Sequence, residues 1–311
     1  GKLVPKMRKT AAILYFLYII LTVLDFLFLI VGGMPVFDAV CTSFGTAGTG
    51  GFGIKNDSIA SYSPYLQNVT TVFMLLFGVN FSCYYLLTQR QIKNVLKDEE
   101  LRLYVLIVLG SIGLVVWNLG DFYPTLEETV RHAAFQVSSI ITTTGFATTD
   151  FDLWPSFSRT ILLCLMVIGA CAGSTGGGLK VARVLLLFKS LKRNIAQMLH
   201  PRKVQVIRNN GSVVSERIVA NTNAYLCAYV VLMFGSFVLI SLDGYSVGTN
   251  FSAVLSCLNN IGPGLELAGP TCNFSIFSTF SKLVLILDML LGRLEIFPIL
   301  VLFSLQTWKN A

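Results

Sequence analysis

The stretch Ser139-Ile140-Ile141-Thr142-Thr143-Thr144-Gly145-Phe146 decides how the rest of the chain is read. It closes a short segment, 127–144, that ends in a Gly-containing loop. Two more segments have this form. Residues 36–50 lead into Ser43-Phe44-Gly45-Thr46-Ala47-Gly48-Thr49-Gly50-Gly51-Phe52. Residues 249–261 lead into Ser256-Cys257-Leu258-Asn259-Asn260-Ile261-Gly262-Pro263-Gly264. Gly51, Gly145 and Gly262 then fall in register. Each short segment lies between two long apolar runs: 11–32 and 65–88, 101–118 and 158–198, 218–241 and 277–307. A bilayer needs ~20 apolar residues in a helix, so the long runs span and the short ones re-enter. The order long, short, long occurs three times. It predicts an all-α polytopic membrane protein of six spans and three re-entrant segments, in units 1–100, 101–200 and 201–311.

Composition agrees. The chain has 311 residues, 54% hydrophobic and 13% charged, with a mean hydropathy of +0.71. Soluble domains carry about 25% charged residues, which excludes a disordered chain and most soluble enzymes. The net charge of +7 is concentrated in three blocks: the first ten residues, 90–102 and 180–217. Basic blocks between apolar runs are the positive-inside signal rather than a nucleic-acid surface. The N-terminus, both basic connections and the C-terminus with Lys309 are therefore expected in the cytoplasm. The connections near 55–64, 148–155 and 269–278 hold a single Lys and belong outside. The seven cysteines include no CxxC pair and the two histidines are far apart, so they predict small buried residues and no metal cluster. No catalytic triad or paired acid–base carboxylates fall on one element, and the chain is not expected to be an enzyme. Asp25, within the first span, is a candidate for an interhelical hydrogen bond. Asp150 and Asp152 either enrich cations at the outer mouth or form a solvated turn.

Backbone inside a membrane must be hydrogen-bonded or line water or protein. Three Gly-containing loops after three half-spanning helices answer that demand by forming a pore, the alternative being glycines that serve helix packing. Glycine permits positive φ, so successive carbonyls can turn to one side. A ring of carbonyls replaces the hydration shell of a monovalent cation, and each short helix aims its partially negative C-terminus at the same point.

The run 158–198 is interrupted by Gly169-Ala170-Cys171-Ala172-Gly173-Ser174-Thr175-Gly176-Gly177-Gly178. At about 1 kcal/mol per helical Gly relative to Ala, this segment unwinds. A phosphate-binding loop is rejected, because Lys180 stands one place late and Val181 follows it where Ser or Thr is required. The remaining alternatives are a mobile loop and a packing kink of small residues. Arg293 lies inside the last long run. An intramembrane Arg costs roughly 2.5–3.5 kcal/mol on insertion scales, so it faces protein or a water-filled cavity. Asp288 and Glu295 are the acidic residues near it, neither at ideal helical spacing.

Together, Thr49-Gly50-Gly51-Phe52, Thr142-Thr143-Thr144-Gly145-Phe146, Asn260-Ile261-Gly262-Pro263-Gly264, the Gly-Ser-Thr-Gly-Gly-Gly loop at 173–178 and Gly292-Arg293-Leu294-Glu295 carry a resemblance. The sequence resembles the ion-translocating subunit of the Trk/Ktr/HKT superfamily of potassium transporters, in the bacterial TrkH branch, over nearly its whole length. The resemblance implies four helix–pore-loop–helix repeats around one pore, a pseudo-fourfold K⁺-channel-like architecture. The second, third and fourth repeats are matched here and the first is absent. The chain is thus expected to be a piece of a longer protein, to have been started late, or to be completed in trans. The resemblance implies K⁺ uptake with no covalently bound cofactor. The filter would be formed by carbonyls of Thr49, Gly50 and Gly51, of Thr143, Thr144 and Gly145, and of Asn260, Ile261 and Gly262. Gly173, Ser174, Thr175, Gly176, Gly177 and Gly178 would form an intramembrane gating loop, and Arg293 would project into the pore below the filter. Glycine at the aligned place in all three loops matches potassium-selective members. A sodium or mixed Na⁺/K⁺ transporter of the same superfamily, and a broken-helix secondary transporter of another substrate, stay open. The resemblance further implies a bacterial inner-membrane location, a homodimer, and a cytosolic nucleotide-binding regulatory subunit of the TrkA/KtrA kind. That subunit would dock on the basic connection with Lys189, Lys192, Arg193, Arg202, Lys203 and Arg208, which is equally suited to anionic lipid.

Overall fold

The computed structural model describes residues 3–200, 205–294 and 296–302. Helix α1 (Leu3–Val31) turns through Gly33, at φ +82, into the short α2 (Val36–Ala47). Pro64 opens α3 (Pro64–Phe77), and the Ser63 side chain caps it by accepting from the Leu66 N–H at 3.4 Å. Proline at a first helical position leaves no donor unmet that the helix would otherwise satisfy. Helix α4 (Phe81–Thr88) follows after three residues, and α5 (Ile92–Lys97) lies in the first basic connection. Asp98 caps α6 (Glu99–Leu119) through the Leu101 N–H at 2.8 Å. Thr125 and Glu128 stand at the two places of a capping box at the start of α7 (Leu126–Ile141). Next come α8 (Ser156–Val167), the Gly-rich loop and α9 (Val181–Leu199). A small hairpin, β1 (Arg208–Asn209) with β2 (Ser212–Val213), precedes α10 (Glu216–Ile240) and the short α11 (Val247–Asn259). The last helices are α12 (Thr279–Arg293) and α13 (Ile296–Leu302).

The repeat is visible in this order. A continuous helix (α1, α6, α10) is followed by a short one (α2, α7, α11) and then by a broken one. Among the described residues three helices are long and apolar enough to cross a membrane, 10–31, 99–119 and 216–243. The apolar run 65–88, read from sequence as one span, is two helices bent by 88° at Gly78-Val79-Asn80. Asn80 accepts from the Ser82 N–H at 2.9 Å and so starts a new helix instead of continuing the old one. The run 158–198 breaks at 168–180, as expected from its glycines. The run 277–307 breaks after Arg293. All three outgoing helices are therefore interrupted, where the sequence pattern marked only one.

Apolar side chains are exposed on the outer surface, and the short helices bury polar ones. Phe16, Val31, Trp117, Val231 and Leu242 are well exposed, while Thr42, Ser43, Thr46, Gln136, Ser138, Ser139, Ser252, Ser256 and Asn259 of the short helices are buried. Lipid takes the place of a core for the outward face, so hydrophobic exposure costs nothing there. The second and third repeats share one continuous apolar cluster, whereas the first repeat is held by smaller ones around Leu29, Phe77 and Phe146. Trp154 is 1% exposed in the shared cluster and donates its indole N–H to the Tyr123 hydroxyl at 2.9 Å. Trp154→Ala is expected to destabilise the protein by about 3–5 kcal/mol. Thermal unfolding in detergent, with Trp154→Phe as the milder comparison, measures this.

Candidate functional site: three loops, a glycine strap and an arginine

Each short helix ends in the same backbone turn. The second residue after α2, α7 and α11 or its equivalent takes a left-handed conformation: Thr49 (φ +50), Thr143 (φ +57) and Asn260 (φ +56). Two residues further on, Gly51 (φ +64), Gly145 (φ +90) and Gly262 (φ +112) do so again. The bonds repeat too. Thr49 donates its N–H to Thr46 O, Thr143 to Ile140 O and Asn260 to Cys257 O, at 3.2, 3.1 and 3.1 Å. Gly50, Thr144 and Ile261 donate to Gly45 O, Ser139 O and Ser256 O, at 2.8, 2.9 and 2.9 Å. Alternating left- and right-handed residues turn neighbouring carbonyls to one side.

Those carbonyls are the unusual feature. Among the described residues, no hydrogen-bond donor reaches the carbonyl oxygens of Thr49, Gly50, Gly51, Thr143, Thr144, Gly145, Asn260 or Ile261. The Gly262 carbonyl differs: it accepts from the Ser256 hydroxyl at 2.7 Å and is turned back to its own helix. Ser139 braces the second loop similarly, through Phe146 O at 2.6 Å. The first loop has Gly45 at that register, and the Phe146 ring fills the space beside it. The loops touch one another so closely that side chains are excluded. A Cβ on Gly51 would lie 1.8 Å from Thr144 O, and one on Gly145 would lie 2.0 Å from Ile261 O.

The Gly-rich loop runs along the same three loops. Thr175 O accepts from the Thr49 hydroxyl at 3.1 Å. Gly177 donates its N–H to the Thr143 hydroxyl at 2.6 Å, and a Cβ on it would lie 2.4 Å from Asn259 O. Gly176 lies beneath Thr142 O, and the Lys180 ammonium donates to Gly176 O. Gly178 packs on Gly169 and the Asn259 side chain. Gly173 and Ser174, assigned with the others from sequence, do not touch the three loops. Gly173 O accepts from the Phe81 N–H at 3.2 Å, and Ser174 turns back to Cys171 O. The segment against the loops is thus 175–178.

Arg293, at the end of α12, donates to Thr175 O at 3.2 Å and to Gly48 O at 3.4 Å. It bridges the Gly-rich loop and the first repeat. Asp288 is no partner for it: that carboxylate is buried and accepts from the Ser236 hydroxyl at 2.7 Å. Glu295 lies outside the described residues. Gly292 lets α12 press on α11, where a Cβ would meet Leu258 O at 1.9 Å.

Other expectations meet mixed outcomes. Asp25 is fully buried, yet neither of its oxygens has a hydrogen-bond partner among the described residues. Asp150 caps its own turn and accepts from Thr271, and Asp152 pairs with Arg159 at 3.5 Å, so both carboxylates are engaged within the protein. In the basic connection Lys189 pairs with Glu99 and Arg193 with Glu216, which leaves Lys192 and Arg208 as the exposed cations among the described members of that set. Arg202 and Lys203 lie outside the described residues. No group of three or more metal-ligating side chains occurs among the described residues. Sequence reasoning passed over Asn80 and Glu100, and weighed Lys180 only against a phosphate-binding pattern and as part of a basic block. A signal existed for the first two: an amide and an acid inside or at the edge of apolar runs.

Glu266 supports the third loop from its other side. Its carboxylate accepts from the Thr249 N–H at 3.1 Å, the Thr249 hydroxyl at 2.9 Å and the Ser246 hydroxyl, all at the start of α11. The bond from Ser246 leads the bonds that hold its pKa below the ordinary Glu value, against the opposing effect of burial. A depressed folded pKa stabilises the fold above the unfolded value of about 4.3, and that stabilisation is lost as pH falls through the folded value. Glu266→Gln should therefore lower the melting temperature at pH 7, and the gap from the parent should close below about pH 4.

The sequence matches the model of the TrkH family, described as cation transport proteins, over residues 1–310. The chain belongs to this family. It is 37% identical to the Trk system potassium uptake protein TrkH of Salmonella typhimurium, over all of this chain and 65% of that protein. It is 38% identical to TrkH of Escherichia coli K12 with the same coverage, and 33% identical to the Trk system potassium uptake protein TrkG of that strain, over 99% of this chain and 64% of TrkG. The chain thus spans about 65% of the length of its TrkH relatives. The crystal structure of the potassium transporter TrkH from Vibrio parahaemolyticus superposes with a TM-score of 0.89 at 34% identity, covering 99% of this chain and 67% of that one. As a TrkH-family chain it shares a helical membrane fold with these relatives, whose names are those of potassium uptake proteins.

Proposed function

We propose that this TrkH-family chain conducts K⁺ inward as the greater part of a potassium uptake transporter. The observation that carries the reading is a set of eight carbonyls that meet no donor among the described residues, on three loops of the same backbone turn, gathered at the C-termini of three short helices. Such carbonyls are costly in a membrane unless a cation or water satisfies them. A monovalent cation losing its hydration shell is the ligand they suit. The filter comprises Thr49–Gly51, Thr143–Gly145 and the carbonyls of Asn260 and Ile261, with Gly262 serving as the turn. Gly173–Gly178 is the gate: Thr175–Gly178 blocks the path under the filter, and Gly173 and Ser174 anchor it. Arg293 holds the gate and repels cations below the filter. The three units run 1–100, 101–200 and 201–311.

The location is the bacterial inner membrane, with both termini in the cytoplasm, as the basic blocks require. A homodimer and a cytosolic nucleotide-binding regulatory subunit complete the assembly. That part of the reading rests on the family resemblance and on the basic connection, of which Lys192 is an exposed cation.

The test is expression in a bacterium without its own K⁺ uptake, using both the 311-residue chain and the product of the intact gene. Growth at low K⁺ and Rb⁺ uptake in excess of Na⁺ uptake are expected from the intact product. Na⁺ uptake in excess of Rb⁺ would move the assignment to the sodium branch. Membrane insertion with neither flux would remove the conducting role.

A further inference from the structure

Glu100 stands at the second position of α6, 6% exposed, where an apolar helix would be expected to keep its acids in solvent. Its Oε1 accepts two backbone N–H groups from opposite ends of the Gly-rich loop. One is Ala172, where the loop begins. The other is Ala182 at 3.2 Å, in the first turn of α9 where the loop ends. Its Oε2 faces the Asn80 amide at 3.5 Å, at the break between α3 and α4. That break is itself tied to the loop. Cys171 donates its N–H to Gly78 O at 3.0 Å, Phe81 donates to Gly173 O at 3.2 Å, and a Cβ on Gly173 would lie 3.1 Å from the Asn80 side-chain oxygen. From the other side, Asn210 of the hairpin grips the start of α6 by accepting from the Glu99 N–H at 2.9 Å and donating to Asp98 at 2.7 Å.

We infer that Glu100 is a positioning residue that clasps both ends of the Gly-rich loop and holds segment 175–178 beneath the filter. The inference rests on the reading of that loop as the gate. A carboxylate suits the task because an ionised acceptor at a helix N-terminus binds backbone N–H groups more strongly than a neutral one. It can also take two of them on one oxygen while its second oxygen meets an amide. Four of the nine residues between Ala172 and Ala182 are Gly, so the segment has little stiffness of its own. Its position must be imposed at its ends. Arg293 and Thr49 touch only its middle. Glu100 fixes the loop at Ala172, five residues past the end of α8, and again where it rejoins α9.

The experiment uses the full-length transporter in liposomes, with Rb⁺ and Na⁺ flux measured without any regulatory partner. Glu100→Ala is expected to raise Rb⁺ flux about tenfold, since the bonds lost are charge-assisted, with the Rb⁺/Na⁺ ratio unchanged. Glu100→Gln keeps the shape and one acceptor oxygen, and should give an intermediate rise. Hydrogen exchange should accelerate in peptides covering 168–183 of either variant, and stay as in the parent over α7 and α11. Arg293→Ala is the control for the gate. If it raises flux and the Glu100 variants, folded and inserted, do not, the clasp is overturned and the gate stands. If neither raises flux, the gate fails and the clasp with it. If Glu100→Ala alone fails to fold, the Gln variant decides: parental flux and parental exchange over 168–183 would overturn the inference.

Discussion

Gly145→Ala should abolish cation uptake: Rb⁺ flux is expected to fall by about a hundredfold or more while the protein still reaches the membrane. Two independent costs meet at this residue. Its φ of +90 is a conformation that side chains avoid, at roughly 1–3 kcal/mol for a residue forced into such a region. The larger cost is steric. The new methyl would lie 2.0 Å from the Ile261 carbonyl oxygen, where contact requires more than 3 Å between such atoms. Neither atom belongs to a flexible side chain, so one backbone must move by more than an ångström. The backbone that moves is that of the proposed filter, and Ile261 O is one of the carbonyls that meet no donor among the described residues. Coordination geometry tolerates far less displacement than folding does, so flux is lost before stability. Gly113→Ala in α6 is the control. It has open space around its Cα, and a helical Ala gains about 1 kcal/mol over Gly. Uptake should be parental there. Parental uptake by Gly145→Ala as well would remove the second loop from the ion path.

The second large effect is expected at Arg293. Arg293→Ala should raise Rb⁺ flux about tenfold in the absence of any regulatory partner. The guanidinium supplies two things at once. It ties Thr175 O of the Gly-rich loop to Gly48 O at the end of α2, and it places a fixed positive charge beside the proposed filter. Its loss frees the loop at its middle and removes the repulsion. Arg293→Lys separates the two contributions. A lysine keeps the charge but lacks the planar fork that reaches two acceptors, so its flux should lie between parent and alanine. Equal flux in all three proteins would show that neither the bond nor the charge limits conduction.

Much of the fold was legible in sequence because lipid enforces simple rules. A span must be long and apolar, a basic loop stays inside, and a re-entrant segment must be short. The alignment of Gly51, Gly145 and Gly262 needed only the spacing of residues, and the matching φ values and hydrogen bonds bear that alignment out. The bend at Gly78-Val79-Asn80 was missed because one glycine and one amide in an apolar run are weak signals. What makes them decisive is the Gly-rich loop, which supplies partners for Gly78 O and the Phe81 N–H. Gly262 illustrates the converse. It aligns with Gly145, yet Ser256 captures its carbonyl, and only the rotation of α11 against its own loop decides that.

The sequence by itself determined the membrane class, the three repeats, the unwinding of 169–178 and the family, because each depends on residue type and spacing along one segment. The tertiary structure alone decided which carbonyls meet no donor among the described residues, which part of the Gly-rich loop meets the three short-helix loops, where Arg293 reaches, and that Glu100 bonds to the loop from another helix. Those depend on contacts between residues far apart in sequence, among them Arg293 with Gly48 and Glu100 with Ala172 and Ala182. Backbone groups make most of these contacts, and every residue carries the same backbone, so residue identity leaves little trace of them.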